Sequence, residues 1–197
     1  MPYSVLLPIF AREIFHGGAH TLGLLMGSTG VGALIAAFTM AARRSILGLG
    51  RRIGIAALLF GCGIFVFALS HNLALSVVML LVTGFAMMQH MASSNTILQT
   101  ISNPAMRGRV MSYYTMAFMG MTPFGSLFGG AIASRFGAPR ALAISGIICI
   151  AAAGIYFLFL PSIRRALRPI YTELGILPKV IQAVDSASTL ASDITPQ

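Results

Sequence analysis

Long apolar stretches divided by short basic clusters set the pattern of this chain. No Asp, Glu, Lys or Arg occurs from Ile14 to Ala42, from Ile53 to Met106, from Val110 to Ser134 or from Ala141 to Ile163. A charge at the centre of a bilayer costs about 2.5–3.5 kcal/mol or more, so charges collect where spans end. A membrane helix needs about 20 apolar residues. On that measure the pattern predicts five full spans: His20–Met40, Ile53–Leu69, Leu73 to Ser94 with a polar extension to Gln99, Val110–Ala133 and Ala141–Leu160. Ser70-His71-Asn72 makes a brief polar turn between the second and the third. Met1–Ala11 is apolar too, but at about 1.5 Å per residue it crosses only about half of a 30 Å hydrocarbon core before Arg12 and Glu13 end it. It reads as a truncated leading span whose front is missing, with a re-entrant or surface segment as the alternative.

Composition narrows the class. Hydrophobic residues make up 57% of the chain and charged residues 9%, against about 25% charged in a soluble domain. The net charge of +9 does not point to nucleic acid, because the arginines flank apolar runs and form no basic face on a polar domain. Alternating loops differ sharply in charge. One set holds Arg43, Arg44, Arg51, Arg52, Arg107, Arg109, Arg164, Arg165, Arg168 and Lys179, and the other only Arg12, Arg135 and Arg140. The positive-inside rule therefore predicts a multi-pass inner-membrane protein with a cytoplasmic carboxyl tail. Residues 1–162 form the expected helical bundle. Residues 163–197 form a cytoplasmic segment, amphipathic from Ser162 to Leu177 with a break near Pro169, then a mobile tail. Cys62 and Cys149 lie inside apolar runs as small packing residues, and no spacing suggests a metal site, a cofactor or a disulfide framework.

Small residues recur at helix-packing spacing. Gly23 and Gly27 form one pair; Ser28, Gly32 and Ala36 form a stripe. Gly125, Gly129 and Ala133 form another, beside Ser126, Gly130 and Ser134. Such spacing lets backbones approach closely, either as static packing or as a surface that slides between two states. Pro123 removes a backbone hydrogen bond from its helix, and with Gly120 and Gly125 it marks either a hinge or a fixed bend.

The third full span carries the polar content. Gln89 and Ser93 share a face, His90 and Ser94 a second, Asn95 and Gln99 a third. These groups either bond neighbouring helices or line a water-filled wall that touches substrate. On the second reading the substrate-path candidates are Gln89, His90, Ser93, Asn95 and, from the next span, Thr122. Met87, Met88 and Met91 add soft surface that suits a pocket for varied ligands or a plain core. An intramembrane serine hydrolase built on Ser93 or Ser94 with His90 is the competing enzyme reading. It lacks a Gly-x-Ser-x-Gly elbow and any carboxylate within the spans to orient the imidazole, so no enzyme is expected.

Several segments resemble major facilitator transporters. The loop Ala42-Arg43-Arg44-Ser45-Ile46-Leu47-Gly48-Leu49-Gly50-Arg51-Arg52 is similar to the basic Gly-Arg loop between the second and third helices of each half, though the family's usual Asp is missing. Arg107-Gly108-Arg109-Val110-Met111-Ser112-Tyr113, then Gly125 to Gly130 and Arg135-Phe136-Gly137, resemble the penultimate helix of the enterobactin-exporter-like branch. Leu6-Leu7-Pro8-Ile9-Phe10-Ala11 resembles the outer end of that branch's seventh helix. The resemblance implies an all-helical half of a major facilitator fold. The chain would be the carboxyl-terminal half of an exporter of a siderophore or drug, proton-coupled when whole, working by alternating access. Its partners would be the bilayer, a small-molecule substrate and the absent amino-terminal half. Arg43, Arg44, Arg51, Arg52, Arg107 and Arg109 would then be gating-loop residues, with topology alone as their other explanation. A non-transporting membrane scaffold or an inactive fragment remains the alternative function.

Overall fold

The computed structural model describes residues 2–43 and 48–173, and among them every regular element is helical. A short helix α1 (Pro2–Ile9) runs into a π-helical turn (Phe10–Ile14). Five long helices follow: α2 (Ala19–Ala41), α3 (Leu49–Leu69), α4 (Leu73–Ile101), α5 (Arg107–Phe136) and α6 (Ala138–Glu173). All five are long and apolar enough to cross a membrane. The leading element is too short to do so, as its length in the sequence predicts.

Helix ends extend beyond the apolar runs. α4 reaches Ile101 and α5 begins at Arg107. At about 1.5 Å per residue both exceed a 30 Å core, so their polar ends project past the hydrocarbon. The turn before α4 is built by side chains. Asn72 Oδ1 accepts the amides of Ala74 (2.9 Å) and Leu75 (3.4 Å), while Ser70 Oγ accepts the Asn72 amide at 3.2 Å. This is an N-cap satisfying orphan donors of the first turn. α5 turns into α6 at a single residue, Gly137, whose φ of +87° is open to glycine and costly for other residues. The expected break near Pro169 does not occur: the backbone is helical through Pro161 and Pro169 to Glu173. A proline costs a helix one donor, and at a span's end water can donate to the carbonyl left behind.

Two compact units divide at Leu158 and Phe159. Described residues of the second form the helical stretch 159–173. The predicted tail beyond it lies outside the described residues.

Within the first unit, α4 is the central helix, packed by α2 on one side and α3 on another. The α2–α4 crossing is backbone on backbone. A Cβ at Gly32 would collide with the Leu81 carbonyl and the Phe85 amide, and one at Gly84 with the Thr29 carbonyl. Of the two spacings seen in α2, the Ser28–Gly32–Ala36 stripe is the buried interface. Gly23 and Gly27 face open space. α3 and α6 meet in the same manner: Gly61 touches Cys149 and Ile150, Gly146 touches Phe65, and Gly54 touches Tyr156 and Phe157. A buried apolar cluster sits at the end away from the arginine clusters of α3 and α5. Tyr3, Leu6, Leu7 and Phe10 pack there with Leu25, Ile64, Phe67, Leu80 and Leu142, and Phe10 stacks on Phe67 at 4.7 Å between centroids.

Gly84→Val is expected to break the α2–α4 crossing, because only backbone stands in the way and neither helix can yield. The loss should equal or exceed the about 1–3 kcal/mol usual for overpacking, while Gly27→Ala leaves stability within about 0.5 kcal/mol. Thermal unfolding of both variants in detergent micelles measures the difference.

Candidate functional site

α4 presents its polar residues to different neighbours. Gln89 and Ser93 are both buried, and the Ser93 hydroxyl lies 3.9 Å from the Met40 sulfur of α2. This face belongs to the α2–α4 contact. His90 stands on the other side, with Nδ1 3.3 Å from the Ile53 carbonyl of α3. Asn95 and Gln99 hydrogen-bond to each other near the helix end. Thr122 is exposed on α5 and spends its hydroxyl on the Phe118 carbonyl at 3.2 Å. The five substrate-path candidates therefore do not converge on one surface. Ser93 and His90 engage different helices, which is no nucleophile–base pair.

A cavity of about 240 Å³ opens on the His90 side, lined by Ala57 and Phe60 of α3, Met87, His90 and Met91 of α4, Phe118 of α5, and Cys149 and Ala152 of α6. Phe60 lies eleven residues into α3, about half-way through the span at 1.5 Å per residue. Its walls are tied by contacts that the sequence pattern did not single out. The Tyr3 hydroxyl donates to the Met87 sulfur at 3.6 Å, and Tyr156 donates to the Gly50 carbonyl at 2.9 Å. The signal for the α3–α6 wall was present as Gly54 and Gly61, seven residues and two turns apart on one helix face.

α5 stands apart from this packing. It is at once the least apolar of the five spans and the least buried. Gly129 is its one buried residue, whereas Tyr113, Met116, Met119, Met121, Phe124 and Leu127 are exposed. The hinge candidates Gly120 and Pro123 lie on exposed backbone, Gly125 is half-buried, and the helix is continuous through Pro123.

The arginines occupy helix beginnings. Arg51 and Arg52 sit in the first turn of α3, Arg107 and Arg109 in that of α5. Cations there oppose the helix dipole, at a cost of about 0.3–1 kcal/mol each. Arg43 follows α2 and reaches toward Gly48, where a Cβ would lie 3.6 Å from its Nη2. Arg44 lies outside the described residues.

Comparison with known proteins settles what kind of scaffold this is. The profile of the family described as transmembrane secretion effector matches residues 3–173, from α1 to the end of α6. The chain belongs to that family, and with it to the major facilitator transporters. It is similar to the Staphyloferrin A transporter of Staphylococcus aureus (strain NCTC 8325 / PS 47), with 27% identity over 150 residues. That alignment takes in 75% of this chain and 37% of the relative, so the chain spans little more than a third of that transporter's length. No solved structure matches. Membership of the secretion effector family bears out the major facilitator resemblance, and the five long apolar helices fit a multi-pass membrane protein.

Gln89 Oε1 is buried without a hydrogen-bond partner among the described residues. A buried orphan acceptor costs about 1–3 kcal/mol, and an apolar replacement of similar shape relieves it. Gln89→Leu is therefore expected to keep or raise the thermal unfolding temperature in micelles, while Gln89→Glu lowers it.

Proposed function

We propose that this chain works as the carboxyl-terminal half of a twelve-helix exporter, moving a small molecule such as a siderophore or drug out of the cytoplasm by alternating access. One observation carries the reading. A helix facing lipid should be the greasiest of its bundle, yet the most exposed helix, α5, is the least apolar of the spans. Thr122, Ser112, Tyr113 and Gly120 lie on its exposed surface. Such a surface suits a second helical half and the water-filled path between the two, near the midplane. α6 has the opposite character: it is the most apolar span, and Ile155 and Leu158 face outward as lipid contacts.

Staphyloferrin A is the first substrate to assay, beside a panel of other siderophores and antibiotics. Proton coupling fits the whole transporter, but the spans of this chain hold no Asp or Glu, so the titrating carboxylate belongs to the other half. The basic ends of α3 and α5 face the cytoplasm. There Arg51 and Arg109 bond acidic groups or helix ends of the partner half, holding one state of the cycle. The cost of placing cations at positive helix ends favours such partners.

Export assays on the full reading frame test this in two ways. Met119→Trp, on the open face of α5, should cut export about tenfold or more, equivalent to about 1.4 kcal/mol, with membrane insertion unchanged. Leu158→Trp on the lipid face of α6 should leave export within about twofold. Equal tolerance of both would mean that α5 meets only lipid. Replacing Arg51 and Arg109 together with Gln should slow export severalfold at unchanged insertion. Unchanged export would leave those arginines a purely topological role.

A further inference from the structure

We propose that the cavity between α3, α4, α5 and α6 is a binding site for a soft monovalent d10 cation, Cu(I) or its analogue Ag(I), a site separate from the transport path proposed above. Four of its eight lining residues carry soft or borderline donors: the thioethers of Met87 and Met91, the imidazole of His90 and the thiol of Cys149. Met87, His90 and Met91 stand at positions i, i+3 and i+4 of α4, which places them as neighbours on one helix face. Cys149 comes from α6 across the cavity, and the glycine contact at Gly61 brings its backbone close to α3. Methionine's three rotatable bonds let the Met91 sulfur turn toward a common centre, and the Met87 sulfur, which accepts from the Tyr3 hydroxyl at 3.6 Å, keeps a second lone pair for the cation.

Two observations select the ligand. The first is the histidine. Its Nδ1 faces the Ile53 carbonyl, and since a carbonyl only accepts, Nδ1 carries the proton and Nε2 keeps the lone pair. A ring nitrogen tied to a backbone carbonyl is the usual support for a histidine that ligates metal through the other. The second is charge. No carboxylate lies in the spans, which removes the oxygen donors that hard cations require. When the cation binds, the Cys149 S–H bond breaks, the proton leaves to solvent, and a sulfur–metal bond forms. A thiolate with a monovalent cation is neutral overall. A divalent cation on the same donors would leave a net positive charge in an apolar cavity at mid-span, which is costly there. Phe60, Phe118, Ala57 and Ala152 supply the apolar remainder of the wall. The sequence alone suggested no metal site because the donors come from helices some sixty residues apart and two of them are thioethers.

The test uses the full chain in detergent micelles with Cys62→Ser as background, so that Cys149 is its sole thiol. Cu(I) is titrated anaerobically against the chromophoric competitor bicinchoninate, and Zn(II) separately. The expected result is one equivalent of tightly held Cu(I) and no comparable Zn(II) binding. Met87→Leu and Met91→Leu, which conserve volume, should each weaken Cu(I) binding about tenfold, a loss within the range for groups that tune a metal site. Cys149→Ser should abolish it. X-ray absorption of the complex should show sulfur neighbours with one nitrogen. Unchanged affinity in both leucine variants would overturn the proposal, reducing the site to a lone thiol, and so would Zn(II) binding as tightly as Cu(I). The leucine variants carry the test even if Cys149→Ser fails to fold.

Discussion

In hydrocarbon, greasy side chains gain little by touching one another in place of lipid, so a bundle of this composition is held by how closely its backbones can approach. The crossing of α2 and α4 at Gly32 and Gly84 is the tightest such approach, with carbonyls and amides where side chains would otherwise stand. α4 is placed by that contact, and α3 is placed against α4 through Gly63, where Thr83 fills the space that a Cβ would take. α6 is then carried on α3 by Gly54, Gly61 and Gly146. The polar side chains of α4 and the cavity beside His90 take their positions from this chain of contacts.

The same constraint explains the division of labour among helices. Small residues on α2, α3 and α4 are spent on packing, so their polar groups end up sealed or tied to a neighbour, as Ser93 is to Met40 and His90 to Ile53. α5 has small residues too, but Gly120 and Gly130 meet nothing. A stripe of glycines on an open helix serves a contact only if another body covers it, which is why the secretion-effector membership and the exposed face of α5 bear on each other.

Packing also separates two kinds of polarity that look alike along the chain. Gln89 and His90 are adjacent, yet a helix turns about 100° per residue, so one is buried as an orphan acceptor and the other borders a cavity. The cavity's soft donors are likewise split between α4 and α6. A chemistry that depends on Met87, Met91, His90 and Cys149 together exists only because α6 can lie against α3 at Gly61.

Most span limits were legible from charge, because the cost of burying an ion in lipid is large beside any local preference, while the uncharged turn Ser70-His71-Asn72 was needed to divide the run from Ile53 to Met106. The Ser28–Gly32–Ala36 stripe was legible as a packing motif, and the polar side of α4 as a place of interest. Helix ends were less so: α4 and α5 run past the apolar stretches because backbone hydrogen bonding continues wherever no residue breaks it. Proline at 161 and 169 did not end α6, since at a membrane surface water can donate to the backbone carbonyl that each orphans. What only the tertiary structure decided is which stripe is covered, which polar residues share a surface, and that Thr122 faces outward. Periodicity gives a residue its face on a helix, but the rotation of that helix toward its neighbours is set by contacts between residues far apart in the chain.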